Sequence, residues 1–306
     1  MRIIITGGAG FIGSHITDLL LKNQHEILIV DNLSTGKVER IPQGVGLAVA
    51  DVRNFDEIKK VFDEYKPDAI YHLAAQIDVQ TSINDPAADA TTNTIGGINV
   101  LNAAVSCKAK KIIYASSAAV YGEPEYLGID EKHTVCPMSP YGITKHTLEH
   151  YLAIYKEIYG LDYTVLRFAN VYGPRQEAKG EGGVVSVFTE RLLKNIEARI
   201  FGDGTFTRDF VCVYDIAQAN FLALTKGSGE IFNIGTGIPT SVNELYAVIK
   251  EACNSNLDPI YAPMRQGDIP HSYFNISKAR EILGYEPKYS LKEGLKATVE
   301  ECKTRI

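Results

Sequence analysis

Tryptophan is absent from this 306-residue chain, and its seven histidines form no H-E-x-x-H or similar cluster. No structural metal is expected from such a set. Five cysteines, at 107, 136, 212, 253 and 302, contain no C-x-x-C pair. An odd, scattered set in a chain long enough to bury its own core needs no disulfides, so reduced thiols and a cytoplasmic location are expected. No run approaches the ~18 apolar residues of a membrane span. The chain opens on a strand, so no signal peptide is expected either. Positive charge does not predominate: 31 Lys and Arg face 37 Asp and Glu, for a net charge of −6. That balance gives no support to a nucleic-acid surface, and no membrane partner is expected.

What is present begins at once. Arg2–Ile5 (RIII) reads as a buried strand, followed by Thr6–Gly13 (TGGAGFIG) and an amphipathic helix. The glycines satisfy G-x-G-x-x-G at Gly8, Gly10 and Gly13, and a second frame at Gly7, Gly10 and Gly13. A helix opening on such a turn holds a pyrophosphate against free backbone N–H groups. The next apolar run, Glu26–Val30, ends at Asp31, 18 residues beyond Gly13. An acid near that spacing accepts hydrogen bonds from adenosine ribose hydroxyls. The reading is a nicotinamide dinucleotide; a flavin, a plain nucleotide or an unoccupied turn is the alternative. Asp31 would repel a 2′-phosphate, which favours NAD over NADP, although Lys37 and Arg40 lie close in sequence.

Strand-like and helix-like runs alternate through the first half. Strands are expected at Ile3–Thr6, Ile27–Val30, Leu47–Ala50, Ala69–Leu73, Lys111–Ala115 and Tyr163–Phe168, with helices near 13–23, 54–65, 90–107 and 142–159. This rhythm implies an α/β fold: a doubly wound, Rossmann-type parallel sheet covered on both faces. After about residue 170 the rhythm weakens. Residues 180–183 read as a flexible connection, 184–195 as a helix, and 199–201 and 210–213 as short strands. Helices are expected at 214–225, 242–252, 276–282 and 291–302, while 230–234 returns to the main sheet. Residues 1–170 are thus expected to form the cofactor domain. Residues 171–306 form a smaller mixed α/β lobe, with part of 214–234 packed back on the first domain.

Ser117 follows the strand at Lys111–Ala115, where side chains face the crevice of a parallel sheet. A lone serine there is commonly a cap. Tyr141 and Lys145, four apart at the start of a helix, share one face. A lysine ammonium favours the phenolate of a nearby tyrosine, and a phenolate can take the proton of a carbinol as hydride leaves its carbon. In isolation this is an ordinary helix pair; beside Ser117 and a dinucleotide loop it reads as a catalytic set.

With these residues the chain resembles the extended short-chain dehydrogenase/reductases, specifically the nucleotide-sugar 4-epimerases of the UDP-glucose 4-epimerase type. The resemblance rests on TGGAGFIGSH (Thr6–His15), HLAAQ (His72–Gln76), SSAAVYG (Ser116–Gly122), Tyr141-x-x-x-Lys145, NVYGPRQ (Asn170–Gln176), GDGTFTRDF (Gly202–Phe210) and RQGD (Arg265–Asp268). It implies a catalytic set of Ser117, Tyr141 and Lys145, a tightly held NAD, a UDP-sugar substrate and a homodimer. Cofactor contacts would fall on Gly7, Gly10, Phe11, Ile12, Gly13, Asp31, Asn32, Asp51, Val52, Leu73, Ala74, Ala75 and Gln76. Asn93, Ser116, Tyr141, Lys145 and Phe168 would complete them near the nicotinamide. On the substrate side, Asn170, Arg208, Arg265 and Asp268 would grip the nucleotide diphosphate and its ribose, because an arginine fork meets phosphate oxygens in two places. Phe201 falls where the family stacks uracil; Val184 and Val242 are further pocket positions. Ser117 and Tyr141 would meet the sugar.

The family's dehydratases carry an acidic pair just before Val-Tyr-Gly, and its UDP-glucuronate decarboxylases a Glu immediately before it. Here Ala118 and Ala119 occupy those places, and neither moves a proton. The expected reaction is interconversion of UDP-glucose and UDP-galactose through a 4-keto sugar. The alternatives are another nucleotide sugar, such as UDP-glucuronate, or a dehydrogenase or reductase that releases its cofactor. Ser272 stands where the epimerases set the width of the sugar pocket; its small size implies room for the N-acetylated pair, unless Tyr273 fills the space. For a dimer, the helices near 90–107 and 142–159 offer Ile95, Ile98, Leu101, Leu148, Tyr151, Leu152 and Tyr155.

Overall fold

A computed structural model describes residues 1–178, 183–264 and 268–306. The short apolar runs form β1 (Arg2–Thr6), β2 (Glu26–Asp31), β3 (Gly46–Val49), β4 (Ala69–His72), β5 (Lys111–Ser117) and β6 (Asp162–Phe168). They pair in parallel in the order 3-2-1-4-5-6, and Glu230–Ile234 adds a seventh parallel strand beyond β6. This is the doubly wound sheet expected from the alternating pattern.

Adjacent residues of a strand serve opposite faces. Ile3 and Ile5 join a core with Ile16 and Leu20 of α1 (Phe11–Lys22) and with Ile216 and Ala219 of the helix Val213–Ala223. Ile4 joins the other core, with Ile58, Val100, Leu101, Leu148 and Leu152 from three helices. All three isoleucines have no exposed surface, and each such burial stabilises the fold by ~1.5–3 kcal/mol. The Tyr71 hydroxyl donates to Asn220 O at 3.1 Å, fastening the Val213–Ala223 helix to the sheet.

The helix expected near 90–107 is broken into Pro86–Ala90, a π turn at Thr91–Ile95 and a regular helix at Gly96–Ser106. Close packing explains the small residues that follow the turn. A Cβ on Gly96 would lie 2.8 Å from Val52 Cγ2, and one on Gly97 2.4 Å from Leu148 Cδ2. The segment expected as a helix at 276–282 forms a π turn at Ala279–Leu283.

The second lobe begins where Asn170–Tyr172 leaves the end of β6 and pairs with Thr207–Cys212. Pro239–Ser241 and His271–Ser272 flank that strand, and Arg199–Phe201 pairs separately with Ile260–Ala262. Tyr172, Phe188, Leu192, Phe210, Tyr246 and Leu295 form its core. The strand expected at 210–213 starts earlier and stops at Cys212, because Val213 already opens a helix. The connection expected at 180–183 has only Gly183 among the described residues.

Candidate active site

The turn after β1 is closed to within atomic contact. Gly7 turns at φ +71°, and its N–H donates to Val30 O at 2.9 Å. A Cβ on Gly7 would lie 2.7 Å from Ala74 N, and one on Gly13 would lie 2.3 Å from Gly7 O. Only glycine fits at either place. α1 then starts at Phe11 with no side-chain cap and no acid in its first turn. The N–H groups of Phe11, Ile12 and Gly13 are thereby left for an anion. These features fit the pyrophosphate of a dinucleotide.

Asp31 locks the same turn: its carboxylate accepts from Ala9 N at 3.0 Å and from Leu33 N at 2.9 Å. Each oxygen keeps a lone pair for a ribose hydroxyl. Asn32 Nδ2 donates to Asp51 at 2.9 Å, and Arg53 forks onto Asp51 at 2.9 and 2.7 Å. Those Arg53 bonds hold the Asp51 carboxyl well below its usual range. Val52 is buried against Gly96. Lys37 pairs with Glu177, and Arg40 donates to Glu177 at 3.2 Å and to Arg175 O at 2.7 Å. The basic residues near this pocket are therefore engaged by Asp51 and Glu177.

Leu73 N–H donates to Thr6 O at 3.1 Å and Ala74 N–H to the Thr6 hydroxyl at 3.3 Å, which lays Leu73–Gln76 alongside the glycine turn. Ser117 ends β5 opposite Phe168 of β6, and its Oγ accepts from Ala119 N at 3.2 Å. Tyr141 and Lys145 belong to the helix Pro140–Tyr159. Ser139 caps it by accepting from Gly142 N, Pro140 occupies its first turn and Gly160 ends it in the left-handed conformation. These caps fix Tyr141 in the first turn, where its phenol lies close enough to Ser117 for the serine to favour the phenolate. Enclosure pushes the Tyr141 phenol up to about 12, with the nearby Ser117 opposing it. Lys145 Nζ donates to Ala115 O at 2.9 Å and lies 5.8 Å from the Tyr141 ring centre. Burial lowers its ammonium to about 8, with Asp89 and Glu149 resisting.

Two buried clusters support this set, and neither was read from the sequence. In the first, the fully buried Asp89 carboxylate accepts from Gln76 Nε2 at 2.8 Å, Asn93 Nδ2 at 3.0 Å and the Thr144 hydroxyl at 2.8 Å. Asn93 also accepts from Gln76 N at 2.7 Å and donates to Gln76 O at 2.9 Å. The signal available was the four-residue step from Asp89 to Asn93, which is one helical face. In the second, Arg167 forks onto Glu149 at 2.9 and 2.5 Å, and Ser116 donates to Glu149 at 2.6 Å. The Ser116 hydroxyl is thus committed to Glu149 rather than to the crevice.

On the substrate side, Asn170 is exposed at the junction of the two lobes, directly opposite Phe210. Arg208 donates to Thr207 O at 2.8 Å and to Pro270 O at 3.3 Å. Burial lowers its pKa, and the nearby Asp268 resists. The neighbouring Asp209 does not hold Arg208: its carboxylate accepts from Thr236 N, Thr236 Oγ1 and Gly237 N at 2.8, 2.6 and 2.9 Å. Ser272 lies opposite Arg208 in the strand register. Phe201 is exposed opposite Ala262. Val184 and Val242 each open a helix of the second lobe. Arg265 lies outside the described residues.

The family model described as the NAD dependent epimerase/dehydratase family matches residues 3–235. A UDP-glucose 4-epimerase of Thermotoga maritima, crystallised with UDP-glucose, is 46% identical with a TM-score of 0.97, over 100% of this chain and 99% of its own. A UDP-glucose 4-epimerase of Thermus thermophilus, crystallised with NAD, is 39% identical with a TM-score of 0.94, over 100% of both chains. A UDP-glucose 4-epimerase of Mycolicibacterium smegmatis is 41% identical over 98% of each chain. The glycine turn, the Ser117–Tyr141–Lys145 set and whole-chain likeness to such relatives agree: this chain belongs to the NAD dependent epimerase/dehydratase family, as a nucleotide-sugar epimerase.

Proposed function

We propose that the protein is a UDP-glucose 4-epimerase that retains NAD, interconverts UDP-glucose and UDP-galactose and also accepts the N-acetylated pair. The observation that carries this reading is the site's proton inventory. Ser117 ends β5 close to the Tyr141 phenol with Lys145 5.8 Å from its ring centre, while the following turn, Ala118–Val120, brings no acid. Such a site moves one proton reversibly and lacks the group that elimination needs.

NAD, when bound, supplies a reversible hydride acceptor for the sugar carbon. The residues to hold it are the Gly7–Gly13 turn, Asp31, Asn32, Leu73–Gln76 and Lys145. Ser117 orients the C4 hydroxyl toward Tyr141, which takes its proton and later returns it. Lys145 stabilises the phenolate during the exchange, since a neighbouring cation favours the charged form. Arg208 and Asp268 hold the nucleotide end, so that the sugar can turn and offer its other face. Engagement of Arg53 by Asp51, and of Lys37 and Arg40 by Glu177, favours NAD over NADP.

The test is incubation of the purified protein, without added cofactor, with UDP-glucose, UDP-galactose and their N-acetyl and uronate relatives, followed by separation of products. Conversion between C4 epimers is expected. Accumulation of NADH only on adding NAD would instead make the protein a dehydrogenase. Turnover confined to the uronates would keep the epimerase chemistry and overturn the substrate.

A further inference from the structure

We propose that Asp89 is a positioning residue of this site: its carboxylate ties the Gln76 loop, the Asn93 turn and the catalytic helix together, and it sets a buried negative charge against the turn that carries Lys145. The proposal rests on the epimerase reading for its kinetic readout but not for its titration readout.

The geometry singles Asp89 out. It is fully buried, it accepts three hydrogen bonds, and none of the donors is a cation. A buried carboxylate held only by neutral donors is costly unless a positive charge lies near. The three donors come from three separate elements: Gln76 from the loop after β4, Asn93 from the π turn and Thr144 from the helix that bears Tyr141 and Lys145. Thr144 is the residue immediately before Lys145.

The groups facing Lys145 are Tyr141 and Glu149 on its own helix, Tyr114 on β5, His72 on β4, and Asp89. Glu149 is already matched by the Arg167 fork. Among the described residues facing Lys145, Asp89 is therefore the carboxylate with no cation of its own. Burial draws Lys145 down to about 8, and Asp89 is the largest influence holding it up. The same charge pushes the Tyr141 phenol up. Asp89 thus trades a harder tyrosine deprotonation for a lysine that stays charged.

Asp89→Asn keeps the size and removes the charge. Both Tyr141 and Lys145 then lose their protons at lower pH, the phenol becoming charged and the ammonium neutral, so both limbs of the kcat/KM profile should move to lower pH by about one unit, the effect of one neighbouring charge. KM should change less than kcat. Thr144→Val, which cuts one hydrogen bond and keeps the charge, should lower kcat and leave the limbs in place; Asp89→Glu should restore them. NMR titration of the lysine ε-amines, with the Lys145 resonance assigned by Lys145→Arg, reads the effect without any substrate. A lower midpoint for Lys145 in Asp89→Asn supports the proposal even if no tested sugar turns over. An unchanged midpoint, or limbs that stay fixed, overturns it. Asp89→Ser, which leaves room for water, is the second neutral variant. Failure of both neutral variants to fold would also overturn the proposal, leaving Asp89 a residue of the fold alone.

Discussion

Replacing Arg167 by Met tests the electrostatics beneath the catalytic strand. Arg167 and Glu149 are 3% and 2% exposed at their side chains and meet through two hydrogen bonds. Burial by itself would raise the Glu149 carboxyl; the bonds from Arg167, His146 and Ser116 outweigh it and hold the group at about 2, against 4.5 in the unfolded chain. A difference of that size corresponds to roughly 3 kcal/mol. Removing one partner of a buried pair costs ~3–5 kcal/mol, because the other charge is stranded. Met fills most of the arginine's volume, so the loss is electrostatic rather than a cavity. The parent's contribution from Glu149 is present above pH 4.5 and is lost as pH falls toward about 2. In Arg167→Met, burial wins and the folded carboxyl titrates above 4.5, so its penalty is greatest at neutral pH and disappears below that value. Denaturant unfolding should therefore show a deficit of about 3 kcal/mol at neutral pH that shrinks on acidification. Glu149→Gln combined with Arg167→Met should recover much of it. A deficit below about 1 kcal/mol, or one that does not change with pH, would refute the reasoning.

Tyr141→Phe should lower turnover by roughly 10²- to 10⁴-fold with NAD still bound, measured by product formation and by cofactor release on denaturation; near-normal rates would remove the mechanism. Gly13→Ala should strip the protein of NAD, because the new Cβ would sit 2.3 Å from Gly7 O; cofactor content after purification reads this directly. Ser272→Tyr should depress activity on the N-acetyl sugars more than on the plain hexoses, since added bulk beside Arg208 narrows the site; equal losses, or a parent with no N-acetyl activity, would defeat the broad specificity. Light scattering should report a dimer built on the outer faces of the helices at 96–106 and 140–159, where Ile143, Ile154, Ile158 and Tyr159 are exposed; a monomer at micromolar concentration would end that proposal.

The features legible in the sequence are those carried by local spacing. Short apolar runs broken by helical periodicity announce the parallel sheet, and the glycine turn, Asp31 and the Tyr141–Lys145 step each need only a few neighbouring residues. Features made by the three-dimensional approach of distant residues were hidden. Nothing in sequence joins Arg167 to Glu149, or Asp89 to Thr144. The strands of the second lobe have two to six residues, too few for periodicity to register. The residues offered for a dimer show the same limit: Leu101, Leu148, Leu152 and Tyr155 are buried in the chain's own core, while Ile95 and Tyr151 are exposed.

The seventh strand has a consequence for how the chain is made. Among the described residues, β6 finds its outer partner in Glu230–Ile234, paired from Thr164 with Glu230 to Phe168 with Ile234. Phe232 and Ile234, which fill that edge, have no exposed surface in the finished protein. At a synthesis rate of about 5–20 residues per second, several seconds pass between the release of β6 and the arrival of its partner. Throughout that interval the nascent sheet presents an open ladder of N–H and C=O groups beside apolar side chains, the arrangement that recruits foreign strands. The main sheet of the first half therefore cannot be finished before the second half of the chain is under way, and a gene cut near residue 170 leaves an unsealed sheet.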